Sequence, residues 1–186
     1  MARARASTGH LRIWCCAAAT GQEPYSLAIL LDGMPQFAGW TIEIAATDLS
    51  AEAIARAKAG CFSAAEVQRG LPVRLLAKYF EKQGNDWRIA QALRNRVQFG
   101  VFNLLDSYAG LGSFDVILCR NVLIYFDRPN KADILDRLAL RLPDDGYLVL
   151  GAAETVLGLS RNFAPQPNLC CIKVKSLAQE QLRALA

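Results

Sequence analysis

Histidine is almost missing from this 186-residue sequence, in which His10 is the sole example. With that one imidazole near the start, no Ser-His-Asp arrangement is available. Neither GxGxxG nor the P-loop pattern occurs, so no standard phosphate-cradling loop is present. No apolar run approaches the ~18 residues of a membrane span, and Met1 to His10 carries charge without an apolar signal core. A soluble, cytoplasmic protein is expected. The six cysteines form two adjacent pairs, Cys15-Cys16 and Cys170-Cys171, with Cys61 and Cys119 alone. None is spaced as CxxC, which argues against a metal centre and leaves them as small apolar core residues in a reducing compartment.

What is present is a globular composition. Hydrophobic residues make up 53% and charged residues 20%, too apolar for a disordered chain and too mixed for a fibrous one. The length favours one compact domain with a small appended subdomain. The net charge of +4 is unevenly placed: nine basic residues face four acidic ones between Ala51 and Gly100. Such a surface would steer an acidic partner, although ordinary solvated helix faces explain it equally well. Nucleic acid ranks low, because the basic residues are not interleaved with several aromatics and no nucleic-acid motif accompanies them.

Strands and helices alternate along the chain. Leu11 to Ala17 is a short apolar run ending in a turn at Thr20-Gly21, and Pro24 then stands where a first helical residue would, in a helix stopped by Asp32-Gly33. Thr41 to Thr47 closes on Asp48, and Ser50 can cap a helix through Ala51 to Ala59, ended by Gly60. Between Cys61 and Arg96 the pattern becomes basic and mixed, with a helix from Pro72 to Phe80 and a Gly84-Asn85 turn before Trp87 to Ile89. This stretch reads as an insertion. Strands follow at Val97 to Val101 and Phe114 to Cys119, then a helix from Arg128 to Arg141 and a strand from Tyr147 to Leu150. Leu169 to Val174 reads as a last strand, paired with one between Thr155 and Pro165. The alternation implies an α/β fold, a mostly parallel sheet with helices on both faces, whose ligands bind at the carboxyl ends of the strands.

Candidate functional residues fall at those ends. Asp48 closes the second strand, where an acidic side chain can accept from ribose hydroxyls, or simply start the next helix. Ala17 to Ala19 would let a ligand approach the backbone closely. Glu23 faces a helix start, where a negative charge is favourable in any case. In CRNVLIYF, Arg120 and Asn121 bring a guanidinium and an amide to the binding edge, suited to a carboxylate-bearing or nucleoside ligand. Tyr125 follows, either in the site or packed under the next helix.

These segments also carry a resemblance. RIWCCAAATGQEPYSLAILL, ATDLS, Phe99 to Leu105 with its NLL, FDVILCRNVLIYFD and LPDDGYLVLGAAET resemble the catalytic domain of the CheR-type chemotaxis receptor methyltransferases. The resemblance covers about Leu11 to Lys175. It implies a Rossmann-like class I methyltransferase sheet with a small inserted β-rich subdomain, at about 61–96, that contacts the receptor. It implies S-adenosylmethionine as cofactor, S-adenosylhomocysteine as product, and glutamate side chains of chemotaxis receptors as substrate. The implied cofactor residues are Glu23 and Asp48, the latter at the ribose, Asn103 and Leu104 by the adenine, and Arg120 and Asn121 in the same pocket, with Ala18 and Thr20 in the first turn. Tyr125 is implied near the transferring methyl. Arg120 as a holder of the substrate carboxylate is our own addition from its chemistry.

Two departures qualify the resemblance. Family members carry a helical domain ahead of the first strand, with a threonine-phenylalanine-phenylalanine-arginine motif whose arginine reaches the cofactor. Here only Met1 to His10 precede the strand, a linker remnant by this reading. A truncated form, or a non-catalytic module that binds adenosylmethionine or adenosylhomocysteine, is therefore an alternative to an active methyltransferase. A small-molecule methyltransferase is disfavoured by the basic insertion. The Gln83-Gly84-Asn85-Asp86 turn is also shorter than the glycine-bearing loop of members that dock on a receptor's C-terminal pentapeptide, so such tethering is not expected. Residues 176–186 read as a tail without an assignable role.

Overall fold

The computed structural model describes residues 2–166 and 171–174. Its main sheet begins with β1 (His10–Cys15), β2 (Thr41–Asp48), β6 (Val97–Val101), β7 (Val116–Cys119) and β8 (Tyr147–Leu150), and is completed by β9 (Phe163–Pro165) and β10 (Cys171–Val174). The strand order is β6-β2-β1-β7-β8-β10-β9. The first five run parallel, and β10 is antiparallel to both of its neighbours. From β1 the chain winds outward to β2 and β6, then returns to build β7 and β8 on the other side of β1. The direction of winding therefore reverses between β1 and β7, which opens a crevice at their carboxyl ends.

Alternation along β1 shows how the sheet is sandwiched. Trp14 belongs to one core with Ile117, Cys119 and Leu148, covered by Ile134, Leu135 and Leu138 of α6 (Arg128–Ala139). Leu11, Ile13 and Cys15 belong to the opposite core with Leu118, covered by Tyr25, Ala28 and Ile29 of α1 (Gln22–Asp32). A central parallel strand is buried on both faces, hence its apolar run, interrupted only at Arg12, which pairs with Glu43. The helix expected from Ala51 is α2 (Ala51–Ala59), with the Ser50 hydroxyl accepting from the Ala53 N–H and Gly60 ending it in a left-handed conformation.

The stretch between Cys61 and Arg96 is a three-stranded antiparallel sheet, order β3-β5-β4, formed by β3 (Cys61–Ser63), β4 (Phe80–Gln83) and β5 (Asp86–Ile89). It also holds α3 (Ala64–Gln68), α4 (Val73–Tyr79) and α5 (Gln91–Arg94). Of these, β3, β4, α3 and α5 have no counterpart in the sequence reading. Ser63 and Glu66 form a reciprocal capping box that starts α3. The hairpin between β4 and β5 closes on Gly84-Asn85, with Gly84 at φ 60°, the position where a two-residue turn of the II′ kind takes glycine. Phe62, Val67, Tyr79 and Ile89 share the core of α1, and the Tyr25 and Phe62 rings meet edge to face at 6.0 Å.

Other boundaries shift for local reasons. Helix α1 begins two residues before the proline expected to open it, because Pro24 falls where an N–H has no helical partner anyway. β7 starts at Val116 rather than Phe114, whose N–H is taken by the Arg141 carbonyl. Helix α6 stops at Ala139, two residues short of Arg141. Of the last expected strand, 169 and 170 lie outside the described residues. The segment expected as a linker is tied down: Arg5 donates to Asp115 at 2.5 Å and to both oxygens of Asp145 at 2.6 Å.

Asp32, the last residue of α1, joins this helix to the inserted unit. It accepts from the Tyr79 hydroxyl at 2.7 Å and pairs with Arg96 at 2.9 Å and Lys78 at 3.7 Å. Tyr79, then Arg96 and Lys78, hold its carboxyl below the ordinary value despite partial burial. An acid depressed in the folded state adds stability above its unfolded pKa and loses it as pH falls. Asp32→Asn is therefore expected to lower stability at neutral pH and flatten its acid decline. Urea unfolding across the acid range reads this directly, and an unchanged slope counts against the linkage.

Candidate functional site

The loops after β1 and β7 flank the crevice, and both are held in unusual backbone. Among the described residues the non-glycine residues with left-handed φ are Ala19 at 46° and Asn121 at 58°, one in each loop. Such conformations persist only where surroundings over-determine them, and they gather at functional sites. At Ala19 the determinant is Asp48, whose Oδ2 accepts the Ala19 N–H at 2.8 Å while Oδ1 accepts the Ser50 N–H at 3.0 Å. Gly21, at φ 97°, lets the turn pass close to α2: a Cβ there would stand 3.1 Å from that of Ala57.

A cleft of about 280 Å³ opens between these loops, lined by Cys16, Ala17, Asp48, Leu49, Phe102, Asn103, Leu104, Val122, Tyr125 and Phe126. Four of the residues expected from the sequence meet in it: Asp48, Asn103, Leu104 and Tyr125. Asn103 Oδ1 accepts the Leu105 N–H at 3.0 Å, which fixes the bend after β6. Tyr125 ends a 3-10 turn over Leu123–Tyr125 and stands 81% exposed at the cleft mouth, not packed under α6. Burial pushes the Cys15 and Cys16 thiols well above their ordinary value, so neither serves as a nucleophile at neutral pH.

Glu23 and Arg120 pair next to the cleft. The Arg120 guanidinium donates to Glu23 Oε2 at 2.8 Å, and both border an adjoining groove against Leu27 and Leu30. Burial raises the Glu23 carboxyl above its ordinary value, and Arg120 offsets part of that rise. Three further expected residues line neither the cleft nor this groove. Ala18 is buried with its N–H on the Thr47 carbonyl, and Ala17 lines the cleft in its place. The Thr20 hydroxyl donates to Gln22 at 2.8 Å. Asn121 lies on the neighbouring loop, its N–H donated to Glu154.

Sequence reasoning did not single out Leu49, Phe102, Phe126 or Glu154. Leu49 and Phe102 adjoin Asp48 and Asn103 in the chain, a signal within reach. No group of three or more potential metal ligands is found among the described residues, and no helix among them is long and apolar enough to cross a membrane.

The reversal of winding beside β1, the antiparallel strand at the far edge and a cleft at the carboxyl ends of the strands define a doubly wound α/β domain with its ligand cleft at the switch point. The family model described as CheR methyltransferase, SAM binding domain, matches residues 1–168. The chain belongs to this CheR methyltransferase family. It is similar to chemotaxis protein methyltransferase 1 of Pseudomonas aeruginosa, with 44% identity over 160 residues, covering 82% of this chain and 58% of that protein. Chemotaxis protein methyltransferase Cher2 of Pseudomonas putida is 42% identical over 158 residues, covering 82% and 58%. The chemotaxis protein methyltransferase of Salmonella typhimurium is 37% identical over 165 residues, covering 87% and 57%. The chain thus spans rather more than half the length of these curated relatives.

Proposed function

We propose that this chain binds S-adenosylmethionine in the cleft and methylates glutamate side chains on the cytoplasmic domains of chemotaxis receptors, as a protein-glutamate O-methyltransferase. The observation that carries the reading is the meeting of Asp48, Asn103 and Tyr125 in one cleft at the switch point of a chain from this family. When bound, the cofactor supplies a methyl group on a cationic sulfonium.

The residues fit that group. Each Asp48 oxygen takes one backbone N–H and keeps a lone pair for a ribose hydroxyl. Leu49, Phe102 and Leu104 offer apolar surface to a purine, with Asn103 beside them. Glu23, which borders the adjoining groove paired with Arg120, would hold the cofactor's ammonium. Ala18, Thr20 and Asn121 would contribute only by shaping the two loops, the Ala18 and Asn121 N–H groups being taken by Thr47 and Glu154.

A substrate glutamate, with an unperturbed pKa near ~4.3, is already an anion at neutral pH, so no residue here has to remove a proton. The task of the chain is to orient two groups and keep water out, and orientation alone can supply up to ~7–11 kcal/mol. Arg120 has N–H donors beyond the one given to Glu23, enough to hold the incoming carboxylate. Tyr125, exposed at the mouth, directs it. Tyr125→Phe is accordingly expected to lower turnover about tenfold with adenosylhomocysteine affinity retained. Unchanged turnover removes the hydroxyl from the mechanism.

The experiment for the whole reading is transfer of labelled methyl from S-adenosylmethionine to purified receptor cytoplasmic domains, with free dicarboxylic acids in parallel. Base-labile label on the receptor supports it. Binding without transfer makes the chain a binding module, and transfer to free acids makes it a small-molecule enzyme. The two-residue β4–β5 hairpin gives no reason to add a receptor-tail tether to the proposal.

A further inference from the structure

Four backbone N–H groups converge on one carboxylate beside the cleft. Glu154 Oε2 accepts from Gly151 at 2.7 Å and Asn121 at 2.8 Å, and Oε1 accepts from Val122 at 2.9 Å and Leu123 at 2.8 Å. Three of the donors are consecutive, and the first is the left-handed Asn121. Successive amides turned to one side in this way make a concave anion site. Gly151 is shaped to it: a Cβ there would stand 2.7 Å from Glu154 Oε2 and 2.9 Å from the Asn121 nitrogen.

The short turn at Leu123–Tyr125 leaves its first N–H groups without internal partners and has no local side-chain cap, and they are met by both oxygens of a residue 31 to 33 positions away. The segment held so firmly starts after Arg120, whose guanidinium pairs with Glu23, and it carries Val122 and Tyr125 into the cleft wall. The acidic residue does not line the cleft itself. We propose that Glu154 is a positioning residue: filling this backbone nest from the end of β8, it fixes the loop that sets Arg120, Asn121, Val122 and Tyr125 around the cofactor. The inference rests on the cofactor reading given above, and it acts on ligand only through that loop.

The test uses the full chain, unmutated and as Glu154→Ala and Glu154→Gln, with adenosylhomocysteine as the probe in calorimetry and amide hydrogen exchange at 121–123. Glu154→Ala is expected to bind about tenfold more weakly and to lose protection at all three amides. Formate at ionic strength matched with chloride should restore part of the affinity, because a small carboxylate can occupy the emptied nest. A residue that merely supports the fold gives no such anion-specific recovery. Glu154→Gln keeps one acceptor oxygen and should fall between the two, so the test stands even where the alanine variant does not fold. Unchanged affinity in the variants, or a loss that formate does not repair, overturns the inference while leaving the cofactor reading intact. Absence of binding by the unmutated chain overturns both.

Discussion

Asp48→Ala is expected to weaken adenosylhomocysteine binding by about a hundredfold or more. Two losses combine. Hydrogen bonds to a charged acceptor contribute about 1.5–3 kcal/mol each, and a ribose presents two hydroxyls to this carboxylate. The same substitution removes the acceptor for the Ala19 and Ser50 N–H groups, at 2.8 Å and 3.0 Å. With its partner gone, Ala19 has no reason to keep φ 46°, and the loop after β1 is free to leave the cleft wall. Asp48→Asn retains one acceptor oxygen and should lose less. Calorimetry on the two variants separates the contributions, and thermal unfolding should change little, because Asp48 sits at the carboxyl end of β2 and outside both cores. An unaltered Kd for the alanine variant would place the ribose elsewhere.

The second large effect concerns stability. Trp14→Ala should cost about 3–5 kcal/mol, the upper range for large-to-small core changes. Trp14 is fully buried, with ring centroids of Phe102, Tyr108 and Phe114 at 5.8, 5.5 and 5.4 Å, and its indole N–H donates to Thr47 Oγ1 at 2.9 Å. Against a typical total of about 5–15 kcal/mol, that loss threatens the folded state at ordinary temperature. The site feels it as well, for Thr47 precedes Asp48 and Phe102 precedes Asn103. Trp14→Phe keeps most of the aromatic burial but leaves Thr47 without its donor, and should fall between. Urea titration reads the stability of both, and a midpoint for Trp14→Ala near that of the unmutated chain contradicts the argument.

How far the sequence reveals this molecule depends on whether an element's cause is local. Helix α2 is legible to the residue because Ser50 caps it and Gly60 stops it, both within the segment. The parallel strands are legible because burial leaves them predominantly apolar despite Arg12, Glu43 and Gln98. The three-residue β3 is not: Cys61 to Ser63 become a strand only by pairing with Asp86 to Arg88, some 25 positions away. The site divides in the same way. Asp48 and Asn103 announce themselves by following strands, as does Arg120. Ala18 was expected in the cleft and is buried behind it, since sequence position alone does not say which member of Ala17 to Ala19 faces the ligand. Glu154 was invisible for a related reason, its role being defined by amides contributed from a distant loop.

The shared packing of the inserted unit and α1 bears on how this domain can be re-engineered. Phe62, Val67, Tyr79 and Ile89 are buried against the first helix of the main sheet and not among themselves alone, while the Gln22 amide reaches Glu66 at 3.2 Å. The insertion therefore cannot be cut out or exchanged as a cassette at its sequence boundaries. A graft of the insertion has to bring along a matching α1 surface, and with it Glu23 in the first turn of that helix.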